Sequence, residues 1–169
     1  KYVLEKLIEY GINGAQIERF EGGQTWDGIK GELWERSPNK KKLADYDDIA
    51  LSLAQGSKPA DVEAELIWVE EGAEKDFEGL DIEGKIIVTS GFVSRVHNLA
   101  VQKGAVGVVG FGSSRELKAP LAIPSSGIRG ANATFGFYLT PREGNKLRDR
   151  LIRGEIIKVH AVVESEMLP

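Results

Sequence analysis

The feature that most constrains this sequence is the stretch 81–113, in which the apolar periodicity changes twice. Residues 85–89 form an apolar, β-branched run that is too short for a helix and apolar on both faces, which is typical of a buried strand. Residues 93–103 instead carry their apolar side chains on one helical stripe, which ends at Gly104. Residues 105–111 return to the strand pattern, so the stretch predicts a strand–helix–strand unit with parallel strands.

A second region of clear pattern lies near the end of the chain. Residues 135–139 read as a strand, and a helix start follows, with a hydroxyl at Thr140, a proline at Pro141 and a carboxylate at Glu143. This combination is a capping box with a proline in the first helical position. Residues 155–163 then alternate between apolar and polar side chains, which predicts a last strand.

These two regions resemble a known family. The pattern D-x-x-G-K-I-apolar-apolar, followed by an amphipathic helix and then K-G-A-x-G-V, resembles the core of the protease-associated domain, a module inserted in several peptidase families. The segment FGFYLTPREGNKLRDRLIRGE resembles that domain's closing strand–helix–strand, with the Pro-Arg-Glu-Gly start typical of copies inside zinc aminopeptidases. The two matches cover about half the chain. Many family members carry an Arg-Gly-x-Cys-x-Phe loop where residues 90–94 stand here, so the role of that loop does not transfer.

The resemblance implies a mixed α/β fold, namely a three-layer β/β/α swivelling-type domain with a parallel strand–helix–strand core. Residues 1–21, a predicted helix and strand, resemble the start of an aminopeptidase catalytic domain, and we expect them to be a stub of a missing catalytic body. Residues 22–164 are then the protease-associated-like domain, and residues 165–169 an exit linker. Residues 43–53 show no clean period and predict extended chain.

Composition and charge exclude several classes of function. The chain has no cysteine, so it holds neither disulfides nor thiolate sites. Residues 61–83 carry ten carboxylates and one lysine, which makes nucleic acid an unexpected partner. The basic residues at 40–42 and along 142–153 lack interleaved aromatic side chains, and we interpret both groups as solvated faces.

No apolar run is long enough for a membrane span, and no signal peptide is visible in the sequence. The sequence itself leaves the compartment open. The family resemblance is compatible with a secreted or extracytoplasmic protein.

Catalytic and metal-binding patterns are also missing from the sequence. The two histidines, His97 and His160, stand in neither a His-x-Asp nor a His-Glu-x-x-His pattern, and we expect structural or solvated roles for both. No Gly-x-Ser-x-Gly elbow is present, and the glycines around Gly112 lack the helix start that a dinucleotide site needs. We therefore predict no catalytic residue, no metal ligand and no cofactor in this chain. By the resemblance, zinc belongs to the missing catalytic domain.

The function predicted by the resemblance is that of a non-catalytic accessory domain of a zinc-dependent aminopeptidase, which covers or flanks the active site and influences substrate access or partner binding. Its partners are then the catalytic domain of the same chain and a peptide substrate. The alternative is a free-standing peptide- or carbohydrate-binding module whose ligand sits in the long loop 112–134. A third and weaker alternative is an enzyme in its own right that uses His97.

Large aromatic residues and loop positions are the candidates for a ligand or partner surface, because aromatic anchors supply most interface energy. These candidates are Trp26, Trp34, Gly112, Ser113, Ser114, Ser125, Ser126 and Arg129. Helix 1–10 places Leu4, Leu7 and Ile8 on one stripe, and self-association through this stripe is expected if the catalytic body is absent.

Overall fold

The structure is a computed structural model that describes residues 1–19, 22–112 and 119–169. Within these residues it has seven strands and three α-helices. The strands are β1 (Thr25–Ser37), β2 (Lys41–Asp45), β3 (Ala60–Trp68), β4 (Ile86–Thr89), β5 (Gly107–Gly110), β6 (Phe135–Tyr138) and β7 (Lys158–Leu168). The helices are α1 (Tyr2–Glu9), α2 (Val93–Gln102) and α3 (Pro141–Ile152). This composition confirms the predicted mixed α/β class.

All seven strands belong to one sheet, in the order β2-β1-β7-β3-β4-β5-β6. Antiparallel pairing joins β2 to β1, β1 to β7 and β7 to β3. Parallel pairing joins β3 to β4, β4 to β5 and β5 to β6. The predicted parallel pair is confirmed, since β4 lies beside β5 with Ile86 opposite Gly107 and Val88 opposite Val109. Helix α2 connects these two strands, as the change of period predicts.

The core shows how strongly the sheet curls. One buried cluster contains inward side chains from every strand of the sheet, including Leu33 of β1, Ala44 of β2 and Phe137 of β6. Strands at opposite ends of the sheet share a core only if the sheet bends round on itself, and the result is close to a barrel. A second cluster lies on the other face of the parallel strands, where Ile87 and Val108 pack with the apolar stripe of α2. Leu147 places α3 against the first cluster.

Three predicted elements differ from those observed. Residues 41–45 form a strand and Ala50–Ser52 a 3₁₀ turn, where the sequence predicts only extended chain. The apolar periodicity of β2 is weak because β2 is a short edge strand and its register with β1 shifts between Leu33 and Trp34. Residues 15–19 are not a strand. The last strand continues through Leu168, because the long strand β1 offers partners as far as Thr25.

Helix α3 is held in place by its cap and by a buried ion pair. The hydroxyl of Thr140 accepts a hydrogen bond from the backbone N–H of Glu143 at 3.2 Å, which confirms the predicted helix start. Near the other end of α3, the Arg150 guanidinium donates to both carboxylate oxygens of Glu35 on β1, at 2.6 and 2.8 Å. It also donates to Glu155 at 2.7 and 2.9 Å. These bonds fix α3 against the antiparallel half of the sheet.

Among the described residues, no helix is long and apolar enough to cross a membrane.

Close packing of α3 on the sheet yields the first prediction. A Cβ added at Gly144 would lie 2.1 Å from Cγ of Phe111, so Gly144→Ala forces the helix or the ring to move. We expect a loss of about 1 to 2 kcal/mol in the free energy of unfolding, because overpacking a core costs more than alanine gains in a helix. Urea denaturation measures the change.

The matched control is Gly14→Ala, at a position with nothing within 4 Å of the new methyl group. It should leave the unfolding midpoint unchanged. A Gly144→Ala variant as stable as the wild type would show that α3 does not pack against Phe111 in this way.

Candidate functional site

The carboxyl ends of the parallel strands β4, β5 and β6 are the first place to look for a site, since ligands of such sheets commonly bind there. Gly112 follows β5 and packs directly on the loop after β4. A Cβ at Gly112 would lie 1.6 Å from the carbonyl oxygen of Ser90, so only glycine allows the two backbones this close. The structure thus provides a packing reason for Gly112. Ser113 and Ser114 lie outside the described residues.

Ser126 belongs to the same end of the sheet. Its hydroxyl is hydrogen-bonded to the hydroxyl of Tyr138 at the end of β6. The side chain of Tyr138 is fully buried, and this burial raises the pKa of its phenol. Ser126 therefore satisfies a buried polar group and anchors the segment before β6, while Ser125 beside it is exposed.

Trp26 and Arg129 are brought together. Both line a cavity of about 380 Å³ next to the end of β7, where Met167 lies. The indole N–H of Trp26 donates to the carbonyl oxygen of Ser57 at 2.8 Å, and its ring packs against the first core cluster. Trp26 is thus a fixed wall of the cavity, and Arg129 is its exposed charged member.

Trp34 lies elsewhere, on the face of β1 opposite to the buried Leu33, because neighbouring residues of a strand point to opposite faces. The ammonium group of Lys42 lies 4.8 Å from the ring centroid of Trp34, within the range of a cation–π interaction. Across the sheet, Trp34 is paired in register with His160 of β7. The predicted candidates therefore fall in separate places and do not form one surface.

His97 is enclosed in the protein. It is 1% exposed, and its Nε2 accepts a hydrogen bond from the backbone N–H of Thr134 at 3.3 Å and lies 3.1 Å from the Thr134 hydroxyl. Burial lowers the pKa of His97, because the charged imidazolium is poorly solvated there. A neutral ring that holds the segment before β6 against α2 is a structural role, in agreement with the sequence-based expectation.

His160 faces outward from the sheet, and its Nε2 lies 2.6 Å from a carboxylate oxygen of Asp61. Asp45 is the first of three aspartates in residues 45–48. Its carboxylate accepts hydrogen bonds from the ammonium group of Lys42 and from the backbone N–H of Asp47. Across residues 1–19, 22–112 and 119–169, no group of three or more histidines and acidic residues could hold a metal ion.

The ion pair between Glu35 and Arg150 was not predicted from the sequence. Arg150 belongs to the basic residues interpreted as solvated, and for Arg150 this interpretation is wrong: its side chain is 19% exposed and donates four hydrogen bonds to Glu35 and Glu155. Burial acts to raise the pKa of Glu35, but the hydrogen bonds from Arg150 and Asn39 outweigh it and lower the pKa. The available signal was Glu35 itself, which continues the inward alternation of Gly31 and Leu33 and as a buried carboxylate requires a cation.

Comparison with known proteins adds a fold likeness. No protein-family profile and no curated protein sequence matches this chain. Among solved structures, an aminopeptidase from an Aneurinibacillus species is similar over 99% of this chain and 39% of its own, with 20% identity and a TM-score of 0.61. A zinc aminopeptidase from Bacillus subtilis is similar over 90% of this chain and 34% of its own, with 18% identity and a TM-score of 0.59.

A peptidase precursor from Shewanella amazonensis is similar over 97% of this chain and 40% of its own, with 14% identity and a TM-score of 0.62. At these identities the likeness establishes the fold. The chain spans two fifths or less of the length of each of these three proteins.

The enclosed state of His97 yields a prediction for the pH dependence of stability. An unfolded histidine takes up its proton near pH 6.5, whereas folded His97 does so only at lower pH. Below about pH 6.5 the unfolded state therefore binds more protons, and the stability falls as the pH falls, by at most about 1.4 kcal/mol per pH unit for this group.

Urea unfolding of the wild type and of His97→Gln at pH 7.5 and pH 5.5 measures this loss. We expect the difference between the two pH values to shrink in His97→Gln and to persist in the control His160→Gln, which removes the partly exposed histidine. An unchanged difference in His97→Gln would mean that His97 is not held neutral.

Proposed function

We propose that this chain is a non-catalytic accessory domain of a zinc-dependent aminopeptidase, of the protease-associated kind, which flanks the active site and influences which peptides enter. The observation that carries this proposal is the fold likeness over 99% of this chain to only 39% of an aminopeptidase. A domain that matches a minor part of a peptidase over its whole length is what an inserted module would look like.

The sequence resemblance supports the same proposal independently. It rests on local motifs in 81–109 and 135–155, whereas the structural likeness rests on the arrangement of the strands. A co-catalytic zinc site needs imidazoles and carboxylates that converge on two metals. The two histidines of this chain are committed elsewhere, His97 to Thr134 and His160 to Asp61.

Helix α1 supplies a surface for the proposed catalytic body. None of its residues is buried. Two of its apolar side chains are mostly exposed, Val3 at 67% and Ile8 at 54%. Exposed apolar side chains on one face of a helix are typical of an interface. We assign its occupant to the remaining part of the aminopeptidase chain, because the match to the Aneurinibacillus enzyme includes nearly all of this chain and leaves 61% of that enzyme uncovered.

The central test is an activity assay. The purified chain, shown to be folded by its thermal melt, is expected not to hydrolyse leucyl-p-nitroanilide above the buffer rate, with or without added zinc. A longer protein that joins this chain to its catalytic domain should hydrolyse the substrate. Removal of residues 22–164 from that protein should change KM for long peptides more than KM for the chromogenic substrate.

Hydrolysis by the isolated chain that is abolished by a chelator would overturn the non-catalytic assignment. An equal effect of the deletion on long and short substrates would contradict a role in substrate access.

The exposed face of α1 yields a separate prediction for the isolated chain. We expect reversible self-association at high concentration, because burial of this stripe removes apolar surface from water. Leu4→Glu combined with Ile8→Glu places charges on the same helix face and should restore the monomer mass of 18.5 kDa in light scattering. The control, Gln24→Glu with Gln102→Glu, adds the same charge at exposed positions and should not. A wild type that stays monomeric at all concentrations contradicts this prediction.

A further inference from the structure

Strand β7 continues past the end of its neighbour β3. Strand β3 pairs with β7 up to Ala60, which lies opposite Val163, whereas β1 pairs with β7 up to Leu168. The residue before β3 is Pro59, and a proline has no N–H to donate to a neighbouring strand. In the part of the chain that the structure describes, one edge of residues 164–168 therefore lies beside no strand.

The backbone groups that point to this edge are those of Ser165 and Met167. The backbone N–H of Leu66 donates to the carbonyl oxygen of Ile157 at 2.9 Å, in the same register as the β3–β7 pairs. In an antiparallel ladder, every second residue of a strand bonds to the same neighbour. The odd-numbered residues of β7 therefore bond toward β3, and beyond Val163 these are Ser165 and Met167. Among the described residues, neither has a backbone partner on that side.

The segment before β3 leaves this edge open because it runs under β7 and not beside it. The carbonyl oxygen of Ser57 accepts hydrogen bonds from the indole N–H of Trp26 at 2.8 Å and from the hydroxyl of Ser165 at 2.7 Å. The ring of Trp26 packs against the first core cluster, so Ser57 lies under the inner face of the β1–β7 pair. The backbone N–H of Lys58 donates to the carbonyl oxygen of Thr134, away from β7.

The outer face of this end of β7 is acidic. Glu164 and Glu166 are exposed there, and Asp27 of β1 lies opposite Glu166. Across the described residues, none of these three carboxylates has a cationic nitrogen within 4.0 Å. Lys30 lies opposite Glu164, but its ammonium group is 3.5 Å from a carboxylate oxygen of Glu32. Like charges on facing residues repel, so cations on an added strand stabilise this face.

The inner face of the same end is apolar and borders a cavity. Met167 is 53% exposed, and together with Trp26 it lines the cavity of about 380 Å³. Successive side chains of a strand point to opposite faces, so a strand beside β7 directs every second side chain toward Met167 and Trp26. The two faces therefore require different residues in alternate positions, cationic on the outside and apolar on the inside.

We propose that an extended segment of a partner protein, in which cationic and apolar residues alternate, adds to β7 as an antiparallel strand in the line of β3. Its backbone exchanges hydrogen bonds with Ser165 and Met167, its cations pair with Glu164 and Glu166, and its apolar side chains contact Met167 and Trp26. Strand addition to a sheet edge is a common mode of peptide recognition, in which the backbone provides affinity and alternate side chains provide specificity.

A second copy of this chain fits the edge less well. Antiparallel pairing of residues 164–168 with the same residues of another copy places Glu166 opposite Glu166, and facing like charges are destabilising. The proposal goes beyond the proposed function and does not rest on it, because strand addition is a property of the isolated chain.

Fluorescence anisotropy with a short labelled peptide of alternating lysine and valine tests the proposal. The host is the variant Leu4→Glu with Ile8→Glu, so that association through α1 does not contribute. We expect binding at low ionic strength and weaker binding when salt is added.

Two backbone-methylated peptides test the hydrogen bonds. In an antiparallel pair, residues that exchange hydrogen bonds have their side chains on the same face, so the valines bond to Ser165 and Met167. N-methylation of the valines should weaken binding by about tenfold or more, because the donors are removed. N-methylation of the lysines changes the N–H groups on the opposite edge of the peptide and should have little effect.

Variants of the chain locate the binding site. Met167→Pro removes an N–H at the edge and should weaken binding by about tenfold, whereas Met167→Ala keeps this N–H and should weaken binding less. Glu164→Gln with Glu166→Gln should weaken binding several-fold, since exposed ion pairs are individually weak. The control pair, Glu71→Gln with Glu78→Gln, removes the same charge from exposed positions between β3 and β4 and should change binding little.

Four results would overturn the proposal. The first is the absence of binding by the lysine–valine peptide, and the second is a loss on methylation of the lysines that equals or exceeds the loss on methylation of the valines. The third is equal weakening by the two glutamine pairs. The fourth is a lower molar mass of the peptide-free wild-type chain in light scattering on Met167→Pro, which would assign the edge to a second copy.

Thermal melts show whether each variant is folded. The comparison of the methylated peptides uses one host protein, so it decides the question even if Met167→Pro does not fold. None of these measurements depends on the aminopeptidase assay, and failure of strand addition is therefore distinct from failure of the proposed function.

Discussion

The structure depends on one strand that serves two kinds of pairing. Strand β3 is antiparallel to β7 on one side and parallel to β4 on the other, so it joins the two halves of the sheet. The parallel half, β4 to β6, is covered on both faces, and every residue of these strands is buried. The antiparallel half has one polar face, and β1 accordingly alternates between buried and more exposed side chains along residues 31–35.

This junction also explains why α3 lies where it does. The curled sheet brings β1 and β2 near the helix that follows β6, and the Glu35–Arg150 pair fixes the distance between them. A carboxylate that is 1% exposed requires a partner, because an unpaired buried charge costs several kcal/mol. Gly144 lets α3 approach the ring of Phe111 closely. The helix is thereby held on one side by an ion pair and on the other by close packing.

Charged groups are distributed unevenly along the chain. The acidic segment 61–83 is separate from the lysines of β2 and α3, of which Lys41 and Lys146 both contact Glu143. The histidine with a lowered pKa, His97, is enclosed by packing.

Local patterns in the sequence determined the elements that bury a regular face. The parallel pair β4 and β5, the start of α3 at Thr140 and the outward position of His160 all follow from spacing along the chain. A periodicity records which side of an element avoids water, and that information is complete within a few residues. Local periodicity does not predict the edge strand β2 or the extension of β7 to Leu168, because both depend on pairing with β1.

Only the tertiary structure decided which charges meet. Glu35 and Arg150 are 115 positions apart, and Lys41 and Glu143 are 102 positions apart, so no local pattern connects them. The tertiary structure also places Trp26 and Trp34 on opposite faces, although they are close in the chain. The cause is the register shift between Gly28 and Lys30, which changes the side of β1 that faces the core. The sequence determines which faces of the elements are buried, whereas the curl of the sheet decides which element covers each face.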